Sequence, residues 1–158
     1  MEEKTISYSS MIMSQVMLPN QANPAGNVHG GEIMKIMDST AGVVSKKHSR
    51  LNTVTARVDE LVFHLPIFVG DLLTCKAHLV YVGRSSMEVA VTVEVEDMEI
   101  EQEPQKALSA YFTMVGMDKK GTPSPVPPLK LETPEEKAAF EDGRLRYEIY
   151  KQKKQKKK

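Results

Sequence analysis

Two adjacent glycines and an aspartate seven positions later are the first residues whose types and spacing could do chemistry. Gly30-Gly31 opens a stretch with helical periodicity, and Asp38 lies within it. A helix N-terminus offers free backbone N–H groups and a positive dipole, and glycines let a carbonyl group approach them. The pattern therefore indicates an oxyanion hole at Gly30 and Gly31; the simpler interpretation is a tight turn before a helix.

The rise of an α-helix sets how far Asp38 lies from those backbone donors. Seven residues at 1.5 Å each place Asp38 about 10 Å from Gly31 along the helix axis. A carbonyl group bound at the start of one helix is then out of reach of the same subunit's Asp38. A site that uses both features needs the helix of a neighbouring subunit; otherwise Asp38 is an ordinary polar residue on a helix.

Hydrophobic periodicity predicts the elements that would position these residues. An extended segment at 6–18 and a turn-rich stretch at 19–29 lead into one long helix at 30–48. Apolar residues recur in that helix at three- and four-residue spacing: Ile33, Met34, Met37, Ala41 and Val44. Alternation with period two then predicts four strands, on the residues Val54, Ala56, Val58; Leu72, Thr74, Lys76; Met87, Val89, Val91, Val93, Val95; and Ala107, Ser109, Tyr111, Thr113.

A second helix is predicted near the C-terminus, with Thr133 as N-cap, Pro134 at the first position and Glu136 completing a capping box. We expect it to end near Lys151. The elements together predict an α+β fold in which an antiparallel sheet wraps the long helix. Polar residues such as Glu88 alternate with valines, so only one face of the sheet is expected to need a core.

Composition bounds the function classes. With 158 residues we expect one domain at 1–130, followed by a C-terminal helix and lysine-rich tail at 131–158. Apolar runs are too short to span a membrane, the acidic start lacks the features of a signal peptide, and Cys75 is the one cysteine. These features favour a cytoplasmic protein without disulfides and without membrane contact.

The charge is uneven along the chain. Its formal net value is zero, but six lysines fall within 151–158, so the rest is acidic. A block of like charge usually stays disordered and solvated, although contacts to phosphate groups are an alternative. Because no aromatic residue is interleaved with these lysines after Tyr150, the sequence argues against a single-strand nucleic-acid platform.

Several short motifs are spread over roughly residues 10 to 118. They are Asn23-Pro24-Ala25-Gly26-Asn27-Val28-His29-Gly30-Gly31, Met37-Asp38-Ser39-Thr40-Ala41-Gly42, Thr55-Ala56-Arg57-Val58-Asp59, Phe63, Pro66, Gly70-Asp71 and Val82-Gly83-Arg84-Ser85-Ser86-Met87-Glu88. In combination these motifs are specific, and together they resemble the acyl-CoA hydrolases of the hotdog thioesterase superfamily.

This resemblance implies hydrolysis of acyl-CoA by an active pair that two subunits share. Asn23 comes from the loop before the helix and Asp38 from the helix of the opposite subunit, with Thr55 close to the aspartate. Asp38 is then expected to act as a general base, or as a nucleophile through an anhydride, because a carboxylate without a serine or cysteine nucleophile can serve either way. The family also implies dimers and, often, trimers of dimers, so a hexamer is expected.

The nucleotide end of coenzyme A needs cations or N–H groups at the mouth of the site. The turn Gly83, Arg84, Ser85 and Ser86 offers both, or is a simple hairpin turn; Arg57 and the lysine tail are weaker candidates. His29 is expected to cap the helix or fill the loop rather than to catalyse. The histidine spacing predicts no metal site, and no cofactor is expected, since coenzyme A belongs to substrate and product.

Two other functions fit the sequence less well. A hotdog-fold enoyl-CoA hydratase would carry Gly-Asp-x-Asn-Pro-x-His, but Gly70-Asp71 continues here as Leu72-Leu73-Thr74-Cys75. An acyl-CoA-binding sensor would usually bring a helical DNA-binding region, and only the C-terminal helix is left for one. Both alternatives are therefore weaker than hydrolysis.

Overall fold

The computed structural model describes residues 1–157. Its longer elements are the helices and strands that the periodicity predicts, with short additional elements near both ends. In chain order the elements are β1 (Lys4–Thr5), α1 (Ile6–Ser9), β2 (Met11–Val16), a 3-10 turn (Pro19–Gln21), α2 (Gly30–Ser49), β3 (Asn52–Phe63), β4 (Leu72–Val82), β5 (Ser86–Glu96), β6 (Gln105–Met117), β7 (Leu129–Lys130) and α3 (Pro134–Lys156).

Five strands form one antiparallel sheet in the order β2-β4-β5-β6-β3. Strands β4, β5 and β6 are consecutive hairpin neighbours, whereas β3 returns to pair with β6 at one edge. The short strands β1 and β7 form a separate parallel pair. Both β2 and β3 are thus edge strands, and within the described residues the outer edge of β3 is unpaired.

Helix α2 lies against one face of this sheet and confirms the predicted apolar stripe. Ile33, Met37, Ala41 and Val44 are buried, and Met34 is half-buried. The four buried residues pack into the main hydrophobic core with the alternate residues of β5, from Met87 to Val95. The helix N-terminus and its central aspartate are therefore held on a rigid layer.

The first strand after the helix departs from simple alternation. The alternating residues Val54, Ala56 and Val58 lie in a strand as predicted, but Val54 and Ala56 are exposed and Val58 is half-buried. Residues 55 and 57 pair with the adjacent residues Met114 and Thr113 of β6, so Ala56 is an extra residue in a β-bulge. A bulge changes which side chains point to each face, which a period-two pattern does not capture.

The face of the sheet opposite α2 is also covered, contrary to the prediction of a single core face. Helix α3 packs across it, and Glu88 of β5 is only 3% exposed. The carboxylate accepts two hydrogen bonds from Arg146 of α3, at 2.6 and 3.0 Å from Nη2 and Nε. Glu88, a polar residue of β5, therefore faces a packed helix rather than solvent.

The C-terminal helix begins as predicted and ends later. Thr133 caps it, Pro134 is its first residue and Glu136 completes the capping box. It continues to Lys156 rather than ending near Lys151, so the lysines from 151 to 156 are helical and exposed rather than disordered, and Lys157 is the C-cap. Lys158 lies outside the described residues. Among residues 1–157, no helix combines the length and hydropathy that crossing a bilayer demands.

His48, at the end of α2, is buried and bonded to the segment before β7. Its Nε2 donates to the carbonyl oxygen of Pro127 at 2.7 Å, and its Nδ1 has no partner within 1–157. Burial lowers the pKa of His48 below its ordinary 6.5, and the nearby Lys4 adds to this effect. A proton on Nδ1 would be buried without an acceptor.

Acid should therefore destabilise the protein through His48. Between the lowered folded pKa and 6.5 the unfolded chain binds more protons, so the free energy of unfolding falls as the pH drops through this window. His48→Gln, which can still donate to Pro127 but does not titrate, should show a shallower fall of Tm between pH 7.5 and 5. Thermal unfolding of both proteins over a pH series measures this, and parallel curves would contradict it.

Candidate active site

Asp38 of α2 and Thr55 of β3 are in hydrogen-bond contact, as the family resemblance implied. Thr55 Oγ1 donates a hydrogen bond of 2.5 Å to Asp38 Oδ1, and Met114 Sδ lies 3.5 Å from the same hydroxyl. Within residues 1–157, the second carboxylate oxygen of Asp38 has no hydrogen-bond partner. Asp38 is exposed to solvent, so one oxygen is oriented and the other is free to accept a proton.

Asn23 shapes the loop before α2 and keeps its amide nitrogen free. Its Oδ1 accepts hydrogen bonds from the backbone N–H groups of Ala25 at 3.0 Å and Asn27 at 3.2 Å. Its Nδ2 donates no hydrogen bond to any residue of 1–157. The side chain is therefore a turn former at its oxygen and an available donor at its nitrogen.

The N-terminus of α2 presents one free donor rather than two. His29 is the N-cap, and its Nδ1 accepts a hydrogen bond of 3.1 Å from the N–H of Gly31. The N–H of Gly30 has no partner in the described chain. His29 thus has the capping role expected of it. Of the two backbone donors predicted to form an oxyanion hole, the N–H of Gly31 is occupied by His29, and that of Gly30 is left without a partner in the described chain.

Asn23 and Gly30 line one open cleft of about 330 Å³. Phe63 and His64, from the end of β3, line the same cleft, and Phe63 is 55% exposed. Asp38 is not among its lining residues. The sequence indicated Phe63 only as part of a motif and did not indicate His64 as a residue of the site. The signal that could have found both is an aromatic residue at the end of a strand, beside turn residues.

The turn from Gly83 to Ser86 joins β4 and β5 as a tight hairpin. Gly83 N–H donates to the carbonyl of Ser86 at 2.8 Å, and Gly116 N–H donates to that of Ser85 at 2.9 Å. Residue 86 pairs through Val115 of β6 with Val54 of β3, next to Thr55. With strands about 4.8 Å apart, the turn lies roughly 10 Å from Thr55 at the same end of the sheet.

Arg57 lies on the other face of the sheet from Thr55. Its guanidinium stacks on Tyr150 of α3, 3.6 Å from the ring centroid, and its Nε lies 2.6 Å from Asp59 Oδ2. A role for Arg57 at the nucleotide end of coenzyme A stays a prediction. No group of three or more His, Cys, Asp or Glu side chains in the part of the chain described is placed to hold a metal ion.

A curved antiparallel sheet around a central helix, with an aspartate on that helix, is the hotdog arrangement of thioesterases. The family model for the thioesterase superfamily matches residues 25–101. The chain belongs to the acyl-CoA hydrolase family of this superfamily.

It is 39% identical over 155 residues to the mouse (Mus musculus) cytosolic acyl coenzyme A thioester hydrolase, a match that covers 98% of this chain and 41% of that protein. The chain thus spans about two-fifths of the length of this curated relative.

Solved structures match over nearly the whole chain. An apo hexameric acyl-CoA thioesterase is 31% identical with a TM-score of 0.90, covering 97% of both chains. The acyl-CoA hydrolase of Staphylococcus aureus, in complex with butyryl coenzyme A and coenzyme A, is 30% identical with a TM-score of 0.88, covering 98% of this chain and 94% of that one. The same enzyme has also been solved with one aspartate, one asparagine or one threonine replaced by alanine.

Proposed function

We propose that this protein hydrolyses acyl-CoA thioesters to free fatty acids and coenzyme A. The observation that carries the proposal is the Asp38 carboxylate, held by Thr55 at one oxygen and free at the other. Asp38 takes a proton from water, whose oxygen attacks the thioester carbonyl carbon. The C–S bond then breaks, and the sulfur leaves as the thiolate of coenzyme A. Neither a metal nor a further cofactor takes part.

Asn23 and Gly30 supply the hydrogen-bond donors for the carbonyl oxygen. The Nδ2 of Asn23 and the N–H of Gly30 line the same cleft and are otherwise unbonded in the described chain. Donors aimed at the developing oxyanion lower the barrier because they need no reorganisation during the reaction. Direct attack by Asp38 to give an anhydride uses the same donors, so the choice between base and nucleophile does not alter this assignment.

The spacing of the altered residues in the Staphylococcus aureus enzyme supports the same three positions. Its asparagine and aspartate variants lie 15 residues apart, and its aspartate and threonine variants 17 apart. Asn23, Asp38 and Thr55 have the same two spacings. Residues chosen for replacement in a relative at these intervals favour the assignment.

Each active site is completed by two subunits. Within one chain, Asp38 lies about 10 Å along α2 from the helix N-terminus that bears the donors. The end of β3 that lies by the Asn23 cleft is roughly 25 Å from Thr55 along the strand. An antiparallel pairing of β3 with the same strand of a second copy reverses its direction, so the second copy's cleft comes beside the first copy's Thr55 and Asp38.

The surface around Asp38 is suited to such a partner. β3 offers a 12-residue unpaired edge, and its apolar residues Val54, Val62 and Phe63 are exposed. Long exposed edges of this kind are usually covered in stable proteins. Gly42, one turn after Asp38, faces open space, since a Cβ added there would meet nothing within 4 Å. A glycine in the middle of a helix is about 0.5–1 kcal/mol less favourable than alanine, so packing within this chain does not explain it. Close approach of a second chain would account for it.

Three such dimers form a hexamer in the proposed assembly, which the hexameric relatives support.

The nucleotide end of coenzyme A binds near the turn from Gly83 to Ser86, where Arg84 is exposed and makes no side-chain hydrogen bond within residues 1–157. We place the activity in the cytosol, since the mammalian relatives are named cytosolic enzymes.

Release of free thiol from acyl-CoA tests the proposal directly. Purified protein should liberate coenzyme A from at least one member of a panel that runs from acetyl-CoA to palmitoyl-CoA, as followed with a thiol-specific dye. The alternative of an acyl-CoA sensor predicts binding of the same thioesters without release of thiol. Absence of hydrolysis over the whole panel by folded, assembled protein would therefore contradict the function.

A further inference from the structure

The β-bulge at Ala56, the first of two register shifts between β3 and β6, connects the proposed active site to the far side of the sheet. Thr55, before the bulge, faces α2 and donates to Asp38. Arg57, after the bulge, faces α3 and contacts Tyr150 and Asp59. Because Ala56 is the extra residue between them, the position of the bulge decides which residue points at Asp38.

An edge strand with a bulge is weakly fixed by its backbone alone. Within the described chain β3 pairs only with β6. If the bulge moved by one residue along β3, a side chain next to it would point to the opposite face of the sheet. The strand therefore needs side-chain contacts that fix the bulge at residue 56. On the α2 side that contact is Thr55 itself, and on the other side it is Arg57.

Helix α3 supplies the anchor for Arg57. Tyr150 lies against the guanidinium, 3.6 Å from its Cζ to the ring centroid, and only 15% of the Arg57 side chain is exposed. Arg146, one turn earlier, stacks on Tyr111 of β6 at 3.7 Å and pairs with the buried Glu88. Since Tyr111 is paired with Asp59, the helix contacts both strands that form the bulge.

The middle of α3 is fixed closely enough to transmit this constraint. Gly143 lies so near the sheet that an added Cβ would come within 2.7 Å of Tyr81 Cβ. Phe140 packs on the same Tyr81 ring at a centroid distance of 5.0 Å, so Gly143 and Phe140 fix the helix here, and Tyr147 adds a more distant contact at 5.7 Å. The helix is thereby held at β4 and β5, and Tyr150 is its contact to β3.

We infer that Tyr150 and Arg57 are positioning residues that fix the bulge at Ala56 and thereby hold Thr55 against Asp38. Neither side chain touches the proposed reacting groups, since both lie on the opposite face of the sheet. The inference rests on the proposed hydrolase function for its kinetic part. It assigns the C-terminal helix a role in orienting the active site as well as in covering the sheet.

Substitution of Tyr150 tests the inference. In Tyr150→Ala we expect kcat for acyl-CoA hydrolysis to fall by about tenfold or more, because small displacements of catalytic groups are costly, with KM changed less than about twofold. Tyr150→Phe keeps the ring over Arg57 and should restore kcat. Tyr150→Leu fills most of the volume but has no aromatic face for Arg57. It replaces Tyr150→Ala in the assay if the alanine variant is too unstable, and the same loss of kcat is expected.

Tyr147→Ala is the matched control, because it removes a tyrosine from the same helix and interface without contacting β3. It should lower the thermal stability and leave kcat near wild type. A rise in KM alone for Tyr150→Ala would instead mean that Arg57 contacts the substrate, and would overturn the positioning role.

Hydrogen exchange separates failure of this inference from failure of the proposed function. Amides in β3 should exchange faster in Tyr150→Ala than in wild type, and at the wild-type rate in Tyr150→Phe and Tyr147→Ala, whether or not the protein hydrolyses acyl-CoA. Unchanged exchange in β3 of Tyr150→Ala would overturn the inference. Wild-type protein that is inactive on every acyl-CoA would overturn the function and leave the exchange result to stand by itself.

Discussion

Asp38→Asn is expected to lower kcat for acyl-CoA hydrolysis by about 10²- to 10⁴-fold, the range that a positioned general base contributes. The asparagine oxygen can still accept the hydrogen bond from Thr55, so the local geometry is kept while the basic oxygen is lost. Steady-state kinetics on the best acyl-CoA of the panel measures the change. As an exposed, nearly isosteric substitution, it should alter the free energy of unfolding by no more than about 0.5 kcal/mol.

Asp142→Asn is the matched control for this experiment. Asp142 is exposed on α3 and its side chain makes no hydrogen bond or ion pair within the described residues, so its neutralisation should leave kcat unchanged. Full activity in Asp38→Asn, with unaltered folding and assembly, would remove the carboxylate from the mechanism, whether as base or as nucleophile.

Mixing two inactive variants is expected to restore activity. Asn23→Ala lacks the amide donor and Asp38→Ala lacks the carboxylate, so neither homodimer has a complete site. In a heterodimer, one of the two sites receives the intact asparagine from one chain and the intact aspartate from the other. Random exchange at equal concentrations should therefore recover about one quarter of the wild-type activity.

The control is to assay the two variants together without subunit exchange, which should give no recovery. Exchange is verified by mass spectrometry of differently labelled chains, and sedimentation should show an assembly near six chains. No recovery after verified exchange would place both groups of each site in one subunit, and a stable, active monomer would contradict the assembly as well.

Local patterns predicted the elements that position the candidate site. The apolar stripe of α2 indicated which face of the helix is buried, and therefore left Asp38 exposed. The capping box at Thr133 located the start of α3 because these signals depend on a few neighbouring residues. Proximity of Thr55 to Asp38 came from the family motif, and the hydrogen bond between them agrees with it.

What the patterns missed depends on contacts between distant residues. The bulge at Ala56 reverses the alternation of β3, and it follows from pairing with β6 rather than from the composition of β3. Glu88 has the pattern of a solvated residue in an alternating strand, but it is buried because Arg146, far along the chain, pairs with it. The loss of the Gly31 donor to His29 depends on a side-chain rotamer that the sequence does not specify.

The ion pair between Glu88 and Arg146 has a consequence for how α3 is seated. Burial raises the pKa of Glu88, while its bonds to Arg146 act in the opposite direction, so the ionised carboxylate depends on that guanidinium. If the helix slid by one turn, the carboxylate would be left buried without its partner, at a cost of about 3–5 kcal/mol. Apolar contacts alone would tolerate such a slip far better, so the ion pair fixes the position of α3 along its axis.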